Sequence, residues 1–360
     1  MNANTSGPSP AEWDEGVRLL SQTARDLPAG RHQFHKELLM AQIQQEQRTE
    51  TAAPVRERRF RLPRPAITLP VVATALAGAV VAVLMMPGGT EAGGLATGPA
   101  MTTPVGAATT NGVPELLDRI SLAAAEVPQQ GIKPGQYIYI ESQTADTFLK
   151  TVGDKTTLAS YELHRRQIWA SPDGTKGWLI DPAVNDSPEG ETLSLPDELG
   201  NTRVAGLNAP SYDYLAKLTA DPAELLAKIY KETEGMGNSP EQQAFTTIGD
   251  LLGESYPPAA LYPALFRAAA KIPGVVVVQD AVDAVGRPGV AVARLDENSG
   301  QREEWIFERN THVFLGKRTV QVNENRGQQA LIKPGTITFT SAITNRAIVD
   351  GIKRTPSRVG

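Results

Sequence analysis

The 360-residue chain is 41% hydrophobic, carries a net charge of −5 and contains no cysteine. The missing cysteines exclude disulfides, thiol catalysis and Cys-based zinc sites, and the small negative charge gives no case for nucleic-acid binding. The charge is uneven, however: residues 1–66 hold ten Lys/Arg against eight Asp/Glu, and residues 87–360 hold 25 against 32.

Residues 1–65 contain two amphipathic helical patterns. The first opens at Ser9-Pro10-Ala11-Glu12, an N-cap, a Pro at the first helical position and a Glu at the third. Trp13, Val17 and Leu20 follow at helical spacing. The second runs from about Arg31 to Arg48, with Phe34, Leu38, Leu39 and Ile43. His32 and His35 lie on it, with no cysteine nearby to complete a zinc site. Such a pair has too little core to be stable alone, so its apolar stripes call for a partner, a membrane surface or each other.

Residues 66–86 predict a transmembrane helix. From Ile67 to Met86 there are twenty residues without a charge, enough at about 1.5 Å each to cross a hydrocarbon core of roughly 30 Å. Arg56, Arg58, Arg59, Arg61 and Arg64 stand before the run, and Glu91 is the first charge after it. The positive-inside rule then places residues 1–65 in the cytoplasm and the rest outside. Residues 87–112 are rich in Gly, Ala, Thr and Pro and read as a flexible linker.

Residues 113–360 read as an α+β domain. A short helix is expected near Pro114–Ala125 and a strand over Gly135–Thr144. Tyr161–Ala170 and Lys176–Asp181 form a hairpin about Asp173-Gly174. Residues 182–210 read as a loop or lid. Three helices follow: one opened by Asp221-Pro222-Ala223-Glu224, one by Ser239-Pro240-Glu241-Gln242, and one over Pro258–Lys271. Strands return at Val275–Val282, Val290–Leu295, Glu303–Glu308, His312–Val322 and Gly335–Asn345. Strands, helices, then a meander argue for an antiparallel sheet packed on one face by a helical block. Ile132-Lys133-Pro134-Gly135 recurs as Ile332-Lys333-Pro334-Gly335, each before a strand.

Several of these features together resemble a family of single-pass membrane proteins of high-GC Gram-positive bacteria, often encoded beside an extracytoplasmic-function sigma factor. They are the Arg-rich stretch before one membrane helix, Trp169, Asp173-Gly174 and Trp178, the helix at Asp221-Pro222, and Leu261–Gly274. The Gly286-Arg287-Pro288-Gly289-Val290 turn and Phe307–Gly316 also fit. The resemblance runs from about Trp13 to Val320. It implies an outer domain similar to the lipoprotein-carrier and envelope-stress-sensor fold, an incomplete antiparallel barrel with helices and an apolar cavity. It also implies a signalling role with a cytoplasmic sigma factor as partner. The zinc-binding anti-sigma pattern needs His and two Cys, and the chain departs from it because it has no cysteine.

No catalytic, cofactor or metal site is expected. His164 and His312 are the histidines of the outer domain, and no G-x-S-x-G elbow accompanies them. Asp296, Glu297, Glu303 and Glu304 read as a solvated hairpin turn, and Trp169, Trp178 and Trp305 as core. The expected function is therefore membrane signalling through an outer sensor domain rather than catalysis. The alternative is an anchored module binding a lipid or other apolar extracytoplasmic ligand, and a cell-envelope hydrolase comes last.

Overall fold

The computed structural model describes residues 96–126, 131–152, 155–185, 187–193 and 205–356, all within the unit Gly93–Gly360. The apolar run 67–86, the arginines from Arg56 to Arg64 and the two N-terminal helical patterns lie outside the described residues. Among the described residues no helix is long and apolar enough to cross a membrane.

The chain opens with two short strands, β1 (Thr97–Gly98) and β2 (Ala108–Thr109), and then helix α1 (Val113–Glu126). Strands β3 (Tyr137–Val152), β4 (Lys155–Tyr161), β5 (His164–Ala170), β6 (Gly177–Ile180) and β7 (Glu191–Thr192) follow. The helical block comprises α2 (Tyr212–Leu215), α3 (Pro222–Glu232), α4 (Pro240–Glu254) and α5 (Leu261–Ala269). The closing meander is β8 (Val275–Val282), β9 (Pro288–Asp296), β10 (Gln301–Glu308), β11 (Phe314–Gln321) and β12 (Ile337–Val349). The sheet order is β2-β8-β9-β10-β11-β12-β3-β5-β6-β7, with β4 on the far half of β3 and β1 on β4. Each pairing is antiparallel. The α+β class, with a helical block against an antiparallel sheet, is as the sequence predicts.

Caps set the helices. Asp221 accepts from Ala223 and Glu224 N–H, and Ser239 Oγ accepts from Gln242 N–H. The third-position side chains do not reach back as a capping box requires. Glu224 accepts from the Thr219 hydroxyl, and Gln242 accepts from Arg294. The helices bury Leu225, Ile229, Phe245, Ile248, Leu251 and Leu265 against Val275, Val277, Val290, Val292, Trp305 and Phe307 of the sheet. Phe245 stacks on Trp305 with ring centroids 3.8 Å apart. Helix α4 comes so close there that a Cβ on Gly249 would lie 2.4 Å from Trp305 Nε1.

The sheet curls at its β8 end. Arg318 on β11 donates to the Val282 carbonyl on β8 at 3.0 Å. Arg287, in the β8–β9 turn, donates to the carbonyls of Leu315 on β11 and Ile343 on β12. Strands three apart in a flat sheet lie about 14 Å from each other, beyond such contacts, so the β8–β9 tip folds over onto β11 and β12. Bulges at Ile306/Phe307 and Ile343/Asn345 bend the strands concerned. The inside of this curl holds small residues, Ala281, Ala291 and Ala293, with Val278, Ile306 and Leu315.

The repeated Pro-Gly turns share one conformation. Gln136 N–H donates to Lys133 C=O and Thr336 N–H to Lys333 C=O, and Gly135 and Gly335 have φ of 83° and 89°. They start β3 and β12, which pair with each other from Tyr137↔Val349 to Phe339↔Asp146. The two turns therefore sit at opposite ends of the central strand pair, as a local two-fold would place them.

Three expectations change. The segment read as a flexible linker, 87–112, is bonded to the domain over its described residues from Ala96 onward, through β1, β2 and a bridge between Thr102 and Thr336. The loop 182–210 contains β7, which pairs with β6. The predicted apolar cavity is filled among the described residues, on the helix side by the main core and inside the curl by alanines and charged side chains.

Candidate functional site

The segment 96–109 forms a strap across the sheet. Ala96 C=O accepts from Glu162 N–H, and β1 pairs Thr97↔Tyr161 and Gly98↔Ser160. Met101 C=O then accepts from Ile337 N–H, and Thr103 N–H donates to Gly335 C=O. At its far end β2 pairs Ala108↔Val278 and Thr109↔Val277 on the opposite margin of the sheet. The strap thus joins strands that are remote in the sheet order. At Gly106 the strap passes close to β8, where a larger side chain has no room. A Cβ on Gly106 would lie 2.9 Å from Val278.

A buried charge cluster holds the strap from below. On β10, Arg302, Glu304 and Ile306 share the inner face of the curl by strand alternation, and Arg318 stands directly opposite Glu304 on β11. Glu304 is fully buried; one oxygen accepts from Arg302 and the other from Arg318, each at 2.8 Å. The spare guanidinium donors reach the strap. Arg302 donates to Gly106 C=O at 3.0 Å and Arg318 to the Thr103 hydroxyl at 3.4 Å. Two arginines around one carboxylate leave an excess positive charge in the interior, which strap and strand carbonyls solvate.

The opposite face of β10 docks α4. Glu303 accepts from Trp305 Nε1 at 3.1 Å and from the Thr246 hydroxyl at 2.7 Å. Lys317, opposite Trp305 on β11, donates to Asp250. The predicted solvated turn at 296–304 is therefore corrected: Asp296, Glu303 and Glu304 are buried, and Glu297 alone of the four is exposed. Asp296 accepts from Asn298 N–H and the Ser299 hydroxyl, which shapes the turn from within. The carboxylates each have partners inside the fold, and this region presents no acid–base pair to a substrate.

A second buried cluster lies at the strap's first strand. His164 Nε2 is 3.0 Å from Asp181 Oδ1, and Nδ1 is 2.9 Å from Glu162 C=O. Arg166 lies 3.2 Å from the other Asp181 oxygen. Burial of the ring opposes its charge, but the hydrogen bonds to Asp181 and Glu162 outweigh it and raise the His164 pKa. Burial likewise opposes the Asp181 charge, and His164 and Arg166 overcome it to hold that carboxyl below its ordinary range. Both ring nitrogens are engaged, so neither faces a hydroxyl as a Ser-His-Asp relay needs. His312 sits elsewhere, at the β10–β11 turn with φ of 56°. No group of three or more His, Asp or Glu that could hold a metal occurs among the described residues.

Trp169 and Trp305 are buried, as predicted. Trp178 is half-buried beneath the Lys353 ammonium, 4.3 Å from its ring centre. An open cleft of about 600 Å³ between the end of α1 and the β10–β11 turn is lined by Arg119, Leu122, Glu126, Asn310 and Val313. Its mixed lining does not form an apolar ligand pocket.

No family model matches this chain, and no curated protein does. Among solved structures it is similar to a chain from the MucA/MucB complex of Pseudomonas aeruginosa, at 14% identity and a TM-score of 0.23. The match covers 68% of this chain and 59% of that one.

Proposed function

We propose that this chain is a single-pass membrane regulatory protein whose C-terminal domain acts outside the cell and whose residues 1–65 act on a cytoplasmic partner. The sequence supports the topology through the uncharged run 67–86 and the arginines before it. The strap is the observation that favours signalling over plain anchoring. Residues from Ala96 onward are bonded into the sheet, so nine residues, 87–95, separate the strap from the apolar run in sequence. Nine residues span at most roughly 30 Å when fully extended. A change that unseats the strap alters both the sheet and the connection to the membrane helix.

In this reading the domain binds and transmits rather than catalyses. The cytoplasmic partner is a sigma factor, as the sequence resemblance implies. The carrier reading requires an apolar cavity, and the filled interior of the described domain weighs against it. The hydrolase reading needs His164 or His312 as its base, and at His164 both ring nitrogens are already engaged, by Asp181 and Glu162.

The test uses the absence of native cysteines. Single variants Arg48→Cys and Lys231→Cys are exposed to a membrane-impermeant maleimide in intact cells, followed by crosslinking and pull-down of the full chain. Labelling at Lys231→Cys alone, with a sigma factor recovered only when residues 1–65 are present, is the expected result. Protection of Lys231→Cys until lysis overturns the topology, and recovery of no cytoplasmic protein overturns the partner.

A further inference from the structure

His164 stands at the point where the strap joins the sheet. Its Nδ1 faces Glu162 C=O at 2.9 Å, and the N–H of the same residue, Glu162, donates to Ala96 C=O at 3.2 Å. Its Nε2 faces Asp181 at 3.0 Å. A carbonyl and a carboxylate are acceptors only, so both contacts are hydrogen bonds only when both ring nitrogens carry a proton. The neutral ring has one N–H. The carboxylate is the stronger acceptor and retains it, which leaves a bare Nδ1 lone pair against the Glu162 carbonyl oxygen.

We propose that the His164–Asp181 pair is a proton-operated latch on the strap: the imidazolium holds the Glu162 carbonyl, one peptide group on from the N–H that anchors Ala96, and loss of its Nδ1 proton to solvent releases that stretch of backbone and with it β1. The charged and titratable groups facing His164 are Asp181 after β6, Arg166 on β5 and Asp146 on β3, with the Tyr161 ring edge-on at 6.5 Å from β4. Ala96, Thr97 and Gly98 of the strap bring no ionisable side chain. Asp181 is itself fixed by the Ala183 N–H and by Arg166, so the histidine is the member of the pair that loses its proton as pH rises.

The sign follows from the raised pKa of His164. The latch contributes fully below the ordinary histidine value of 6.5 and is lost as pH rises through the raised value. The strap is therefore seated below the ordinary histidine value, down to the lowered range of Asp181, and loosens as pH rises through the raised value of His164. This device stands on the strap geometry and holds whether or not the chain spans a membrane.

Hydrogen exchange read by mass spectrometry on the full-length chain in detergent tests it. Protection factors, which remove the intrinsic pH dependence of exchange, are compared between pH 6 and 9 for the segment 155–166 and for α4. The expected result is a several-fold fall in the 155–166 segment, with α4 unchanged. In His164→Gln the segment's protection is low and constant, while α4 protection reports that the domain is folded. A constant protection factor in the unsubstituted chain overturns the latch, as does the same fall in His164→Gln. The ¹³C shift of the His164 ring in the unsubstituted chain is a second readout. A neutral ring at pH 6 contradicts the proposal even if the variant fails to fold.

Discussion

Arg302, buried on β10, donates to the carbonyl of Gly106 at 3.0 Å, although the two residues lie 196 positions apart. That contact ties the N-terminal strap to the interior of the curled sheet. The same guanidinium binds Glu304, so the strap's seat and the domain's buried charge balance are one structure.

Glu304→Gln is expected to destabilise the domain strongly. It leaves Arg302 and Arg318 buried without a counter-charge, and breaking such a pair costs roughly 3–5 kcal/mol. Thermal unfolding should show the loss, and limited proteolysis should cut the strap between residues 96 and 109 faster than in the parent chain. An unfolding temperature unchanged from the parent would mean that the cluster does not bear on the fold.

Gly249 and Gly253 lie on the same helix and should respond oppositely to alanine. In isolation each Gly→Ala change favours the helix by up to about 1 kcal/mol. At Gly249 the new methyl meets Trp305 Nε1 at 2.4 Å and Glu303 Oε1 at 2.6 Å, whereas at Gly253 it meets only the Lys317 chain at 3.7 Å. Gly249→Ala should therefore lose roughly 1–3 kcal/mol by overpacking, and Gly253→Ala should be neutral or stabilising. Urea unfolding midpoints of the two variants give the comparison.

Asp181 supplies an acid limb to the stability profile. Its pKa is lowered in the folded chain. Its contribution is therefore present above the ordinary carboxylate value and lost as pH falls through the lowered one. Asp181→Asn should lose roughly 3–5 kcal/mol, because it removes the carboxylate that pairs with buried His164 and part-buried Arg166. Its unfolding temperature should also fall less steeply than that of the parent as pH drops below 4. Parallel pH profiles for the two chains would remove Asp181 from that role.

Trp305→Ala should cost roughly 3–5 kcal/mol, since its fully buried ring stacks on Phe245 and its Nε1 satisfies Glu303. Trp178→Ala should cost much less, because that ring is half-buried. Paired measurements of thermal unfolding distinguish the two tryptophans, which the sequence treats alike.

The legible parts of this fold were those with local signals. Asp221-Pro222 and Ser239-Pro240 cap helices that begin where their residue types require, and the β-branched run Val275–Val282 is β8 with those bounds. The strap was not legible. Its strands are two residues long, too short for a period, and its composition is that of a linker. Its bonds go to positions such as Tyr161, Val278 and Thr336, so only the three-dimensional fold shows them. The burial of Glu303 and Glu304 was hidden for a related reason. Charged residues in a run usually mark a solvated face, and nothing near them in sequence announces Arg318 or Thr246 as partners. Alternation did hint that β10 is covered on both sides, since apolar residues fall on each face of EEWIFE.

The most direct test of the account is a disulfide across the strap. Thr103 N–H donates to Gly335 C=O and Ile337 N–H to Met101 C=O, which makes Thr102 and Thr336 a non-hydrogen-bonded antiparallel pair. Their Cα atoms are then about 4.5 Å apart, within disulfide range. In the full-length Thr102→Cys/Thr336→Cys variant, mild oxidation should close an intramolecular bond that blocks both thiols to maleimide and raises the unfolding temperature. Two thiols that remain reactive after oxidation, or that link only between chains, would contradict a strap seated on the sheet.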